Sequence, residues 1–283
     1  MTKRALLISS SKFSSTSNLV DLPTVSATAR DLGKALSYCG YPPARVSPLS
    51  DPTLEEVVEN IEDLMSEELD QMLIYYGGHG ARGSAGELLL SLPTTRKGPY
   101  SQLSWMPYRA VHAAMENARS SGRVHSVVVL LDCCYAGLAD SFRTPTVVAS
   151  QAEGSSGTCI IAACLPNELA IAPAAQHYTI FGGALINLIL RGDATLPPEI
   201  TWGEAAKLLT QSIEPSPVAY FTDSGSGLRM CRNRSASPIP RTALRRVARP
   251  SGRTVAMGSA VAGAGIAAAV FAILDGLADD FDI

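Results

Sequence analysis

SVVVLLDCCYAG, Ser126 to Gly137, is the stretch from which the fold can be read. Its first half, Ser126 to Leu131, is a continuous apolar run that predicts a buried strand, and its second half breaks abruptly into a polar cluster, Asp132 to Gly137. The same grammar recurs upstream in QMLIYYGGHG, where Gln71 to Tyr76 runs into the glycines around His79. Arg4 to Ser10 and Thr158 to Ala163 are two more short apolar runs, Glu87 to Leu92 reads as a hairpin arm, and Gly227 to Cys231 as a last strand. Helical spacing fills the intervals. Val25 to Tyr41 places Ala29, Leu32, Ala35 and Leu36 on one face and stops at Gly40; Thr53 to Leu69 opens on Thr53, a cap before Glu56. Trp105 to Ser120, Phe181 to Arg191 and Gly203 to Ile213 complete the set. Apolar strands alternating with helices imply an α/β fold, a mostly parallel sheet covered on both faces, with sites at the carboxyl ends of its strands. Both GGHG and DCCYAG fall at that edge.

A thiol attacks a peptide carbonyl as thiolate, so it needs a base, and a histidine can take the proton and later deliver it to the leaving amine. The developing oxyanion needs backbone N–H donors, which small residues beside both groups can expose. His79 lies between Gly78 and Gly80, and Cys134 stands three residues before Gly137. Taken singly, GGHG also fits a tight turn with a surface histidine, Cys133 and Cys134 fit core packing, Asp132 a turn cap and Asp31 a solvated helix residue. Their order, spacing and strand context favour a site.

YYGGHG followed by LLDCCYAG resembles the histidine and cysteine motifs of the caspase and metacaspase clan, and most of all its prokaryotic metacaspase-like members. The likeness extends to the helix containing Asp31, to IIAACLPNELA and to YTIFGGALINLILRG, covering Lys3 to Asn233. It implies a caspase-like three-layer sandwich with a mostly parallel six-stranded sheet. By the same resemblance His79 is the catalytic histidine, Cys134 the nucleophile, and the N–H groups of Gly80 and Cys134 the oxyanion hole. In metacaspases the positions matching Asp31 and Asp132 line an acidic S1 pocket; a buried carboxylate pair calls for a cation, so Arg or Lys is the expected P1 residue. The sequence departs from the pattern after the cysteine, where Tyr135, Ala136 and Gly137 replace the usual HSG, two residues before the histidine, where Gly77 replaces a common serine, and at Ala162 and Ala172. These changes leave the dyad intact and bear on substrate preference.

Composition is that of a globular protein, 46% apolar and 17% charged with net charge -3, which gives no reason to expect a nucleic-acid partner. The six cysteines show no paired spacing and read as reduced thiols of a cytoplasmic chain, and Met1 to Leu6 lacks the apolar core of a signal peptide. Cys159 and Cys164 read as core residues, and His112 and His125 as surface ones. No motif marks a metal or other cofactor, and calcium activation stays open.

The charge is uneven. Residues 1–231 carry about -6, Arg232 to Arg253 holds seven arginines and no acid, and Asp275 to Ile283 holds four aspartates and no base. Between them Thr254 to Leu274 is uncharged, 21 residues that as a helix would span ~30 Å, enough to cross a bilayer. The expected domains are therefore a peptidase domain at 1–233, a basic linker at 234–253, a transmembrane helix at 254–274 and an acidic tail at 275–283. The flanking charges orient a single-pass protein of the cytoplasmic membrane with its peptidase domain inside, and the linker against anionic headgroups. Gly258 with Ala262 and Ser259 with Gly263 are small residues four apart, which allows close helix contact and a homo-oligomer; a helix packed on a partner is the alternative. Arg241, Arg245, Arg246, Arg249 and Arg253, and the loop from Arg143 to Gly157, are candidate self-cleavage sites. The functional expectation is a membrane-anchored endopeptidase acting on protein or peptide substrates, an effector of bacterial defence or cell death. Its rivals are a caspase-fold adaptor and a pore-forming effector gated by the domain.

Overall fold

The computed structural model describes residues 1–96, 101–140, 157–173 and 176–235. The expected transmembrane helix and acidic tail, nearly all of the linker and the loop 143–156 lie outside them. Among the described residues, no helix is long and apolar enough to cross a membrane.

In chain order the elements are β1 (Lys3–Ser9), α1 (Pro23–Ala35), β2 (Val46–Ser50), α2 (Leu54–Ser66), β3 (Leu69–Gly77), β4 (Gly80–Arg82), β5 (Leu88–Leu90) and β6 (Met106–Pro107). They continue with α3 (Tyr108–Ser120), β7 (Val124–Asp132), β8 (Gly157–Ala162), α4 (Ile180–Arg191), β9 (Glu199–Thr201), α5 (Trp202–Ser212), β10 (Val218–Asp223) and β11 (Arg229–Arg232). Six strands form one sheet in the order β10-β8-β7-β3-β1-β2. All its pairings are parallel except that of β10 with β8. The mostly parallel six-stranded sheet expected from the sequence is present.

Alternation along the strands divides the core into two layers, because successive side chains point to opposite faces. Ala5, Leu7, Leu73, Tyr75, Val128 and Leu130 join α1, α4 and α5 on one face. Leu6, Ile8, Met72, Ile74, Val127 and Val129 join α2 and α3 on the other. Both faces are covered, which is why these strands read as unbroken apolar runs.

Four assignments change, the first at the helix expected from Trp105, where Met106–Pro107 is the strand β6 and α3 starts at Tyr108. β2 and β10, the two edge strands, gave no apolar run, since each is half-exposed and β2 contains Pro48. The expected last strand does not join the main sheet; β11 pairs antiparallel with β9 in a separate ribbon. The helix expected over Val25 to Tyr41 ends at Ala35, tightens into a 3-10 turn over Leu36–Cys39, and stops at Gly40 with φ 81°. The expected hairpin arm is β5, antiparallel to β4. Thr53 caps α2 as expected, in a reciprocal box with Glu56.

Candidate active site

β3 and β7 are parallel neighbours, and their register pairs Gly77 with Asp132. His79 and Cys134 each stand two residues beyond that pair, so the two loops leave the sheet side by side. Gly78 N–H donates to the Asp132 carbonyl at 3.3 Å, carrying the pairing past the strand ends. Gly80 presses on the cysteine loop so closely that a Cβ there would lie 2.0 Å from the Cys134 carbonyl oxygen. Only glycine allows that approach.

The last two tyrosines of β3 point to opposite faces and brace the two loops. Tyr76 hydroxyl lies 3.0 Å from the His79 carbonyl and 2.8 Å from that of Ser91. Tyr75 hydroxyl donates to Asp132 Oδ2 at 3.0 Å. It also explains the departure at Gly77, where a Cβ would lie 2.7 Å from that hydroxyl. The serine common at this position has no room.

His79 is half-buried, with the Phe13 ring 5.1 Å away and its Nε2 2.8 Å from the Val20 carbonyl oxygen. A carbonyl only accepts, so Nε2 carries the proton in the neutral ring and Nδ1 keeps the lone pair. Cys134 is half-buried, and its thiol donates to the Ala170 carbonyl at 3.8 Å. Burial pushes this thiol's pKa up, so it rests protonated. Tyr135 follows in the left-handed region at φ 57°, its N–H held by the Glu168 carbonyl at 3.0 Å. Neither Val20 nor Ala170 could be named from sequence, because each contributes a backbone carbonyl that any residue supplies.

Asp132 is buried, and burial pushes its pKa up to about 6 against the hydroxyls of Thr179, at 2.6 Å, and Tyr75. Ala163, Ala170, Ile171, Phe181 and Pro215 close around it, leaving no space the size of a water molecule. Asp31 is also buried but is held differently. Burial would raise its pKa, yet Arg30 at 2.9 Å and Lys34 at 3.1 Å outweigh that and bring it down to about 2. Tyr178 hydroxyl donates to it at 3.1 Å, and His177 Nε2 lies 3.4 Å away. Consecutive residues Tyr178 and Thr179 thus reach the two aspartates, linking α1, β7 and the start of α4. His177, which no motif marked, belongs to this cluster. All six cysteines are free, and Cys159 and Cys164 are buried in the core.

A thiol and an imidazole on adjoining loops, at the carboxyl ends of neighbouring parallel strands within a three-layer α/β sandwich, have the layout of a cysteine peptidase. The family model described as "Caspase domain" matches residues 2–211, and the chain belongs to that family of cysteine-type endopeptidases. Among solved structures, caspase-1 from Spodoptera frugiperda matches with a TM-score of 0.52 at 15% identity, over 77% of this chain and 88% of that one. At that identity the likeness speaks for the fold alone. No match to a curated protein was found.

Proposed function

We propose that this endopeptidase works through a Cys134–His79 dyad, cleaves after Arg or Lys, and is anchored to the cytoplasmic membrane by residues 254–274. The observation that carries the dyad is the Gly77–Asp132 register, from which both residues stand two positions along. With the thiol protonated at rest, attack requires His79 Nδ1 to take the Sγ proton as sulfur bonds to the scissile carbonyl carbon. The N–H groups of Gly80 and Cys134 receive the oxyanion, and His79 returns the proton to the leaving amine, releasing it and leaving a thioester. Water, deprotonated by His79, hydrolyses the thioester and restores the thiol. The Val20 carbonyl keeps the ring in the required tautomer.

The basic P1 preference rests on Asp132 more than on Asp31. Asp31 already has two cations, whereas the partners of Asp132 are two hydroxyls and the Gly182 N–H. A guanidinium or ammonium brought to Asp132 would supply the missing countercharge, once the side chains closed around it part to admit one. The anchor rests on the uncharged stretch and its flanking charges. A role as a regulated effector of bacterial defence or cell death follows the metacaspase-like resemblance.

The test is a panel of peptides with Arg, Lys or Asp at P1, given to the full chain and to Cys134→Ala and His79→Ala. Cleavage after Arg and Lys is expected, with kcat/KM falling by about 10²–10⁴ for His79→Ala and to background for Cys134→Ala. Turnover of the Asp peptide alone would overturn the specificity. No turnover of any peptide, with or without calcium, would favour the adaptor.

A further inference from the structure

A wide groove in the described structure lies away from the chemistry; none of His79, Cys134 or Asp132 lines it. It has a volume of about 900 Å³ and runs between α1 and the edge strand β2, whose Val46, Pro48 and Ser50 form one wall. Four cations line it, Arg30, Lys34, Arg191 and Arg234, and no acid is among its described lining residues. Arg30 and Lys34 are held in place by their ion pairs to Asp31. We propose that this groove is a docking surface for the headgroups of an anionic phospholipid bilayer, the membrane to which the chain is tethered. The inference rests on the membrane-anchored reading above.

The way the chain leaves the domain argues for it. Asn233 Nδ2 donates to the carbonyls of Asp193 at 2.7 Å and Leu196 at 2.9 Å, and Ser235 hydroxyl donates to the Arg191 carbonyl at 2.6 Å. The Arg234 guanidinium lies over the Tyr38 ring, 4.6 Å from its centre. The exit is therefore pinned to the groove's rim, between two of its four cations. From there 18 residues, 236–253, lead to the uncharged stretch, a reach of roughly 25 Å as a coil and at most about 60 Å extended. That tether keeps a bilayer holding 254–274 within this reach of the groove, and contact within the roughly 8 Å range of electrostatic attraction at physiological salt is what the groove's cations would add. Basic side chains near an anionic surface each add to its attraction, and in sequence Arg234 opens the run of linker arginines. The acidic tail, 275–283, is the competing occupant by charge, but once the span is inserted the tail ends on the far side of the bilayer.

The experiment uses the full chain and an Arg191→Gln/Arg234→Glu variant, each with vesicles of phosphatidylcholine alone or mixed with phosphatidylglycerol. Flotation after an alkaline carbonate wash reads insertion, and hydrogen–deuterium exchange over residues 30–50 reads the groove. Both proteins should float with both lipids. In the parent alone, exchange over 30–50 should slow by roughly fivefold or more, and only with phosphatidylglycerol. Flotation without lipid-dependent protection overturns the groove and leaves the tether standing. Loss of flotation after the wash, with phosphatidylglycerol protection retained in unwashed samples, fails the span and supports the groove. Protection without vesicles that disappears on deleting 275–283 makes the tail the occupant and overturns the proposal.

Discussion

Burial gives the two aspartates beside the site opposite demands. Asp132 has its pKa raised to about 6, so between pH ~4 and ~6 the folded chain holds a proton that the unfolded chain has lost. Stability is fullest below that window and falls as pH rises through it, at a cost approaching ~3 kcal/mol by neutrality. In Asp132→Asn this slope should vanish, so the difference in Tm between variant and parent should shift in the variant's favour from pH 4 to pH 7. A constant difference would show that Asp132 ionises as freely folded as unfolded. Asp31 runs the other way, its contribution present above pH ~4 and lost as pH falls toward 2. At Gly80 the constraint is steric. Gly80→Ala sets a methyl against the Cys134 carbonyl, so the two loops must part. A loss of kcat/KM of about 10²-fold or more is expected, the scale of removing one oxyanion donor, with the far-UV circular dichroism unchanged. Full activity in that variant would show that the loops take up the methyl without moving the Gly80 N–H.

Among the elements, the cap of α2 was legible and the edges were not. Thr53 and Glu56 satisfy each other's backbone donors at the start of α2, and Thr201 and Glu204 do the same for α5. Thr53→Ala should lower unfolding free energy by about 1 kcal/mol in urea titrations and leave peptide turnover unchanged, since the described hydrogen bonds of the Thr53 side chain stay within the α2 cap. A cap box is a local device, so four residues suffice to announce it. β2 and β10 escaped notice because an edge strand half in solvent keeps a mixed composition, and only its neighbour β1 or β8 makes it a strand.

At the level of the whole molecule, the caspase-domain core ends at a pinned exit and the basic linker begins beyond it. Cutting that linker costs the core none of its described contacts. Given a basic P1 preference, the purified active chain should process itself after Arg241, Arg245, Arg246, Arg249 or Arg253, with the loop from Arg143 to Gly157 as a second target. Cys134→Ala should stay whole, and intact-mass spectrometry reads both. An uncut linker in fully active enzyme would sink self-release from the membrane.

The sequence by itself determined the sandwich class, the parallel sheet and the two loops bearing His79 and Cys134. Each rests on short-range signals: unbroken apolar runs, caps, and glycines at strand ends. Only the tertiary structure decided that β3 and β7 are neighbours in a register matching Gly77 with Asp132. It also decided that Val20 and Ala170 turn their carbonyls to the imidazole and the thiol, and that Asp31 is already neutralised while Asp132 is not. The physical reason is common to all three. Strand pairing, backbone acceptors and the balance of desolvation against nearby charge depend on groups distant in the chain, and no local pattern of side chains encodes them.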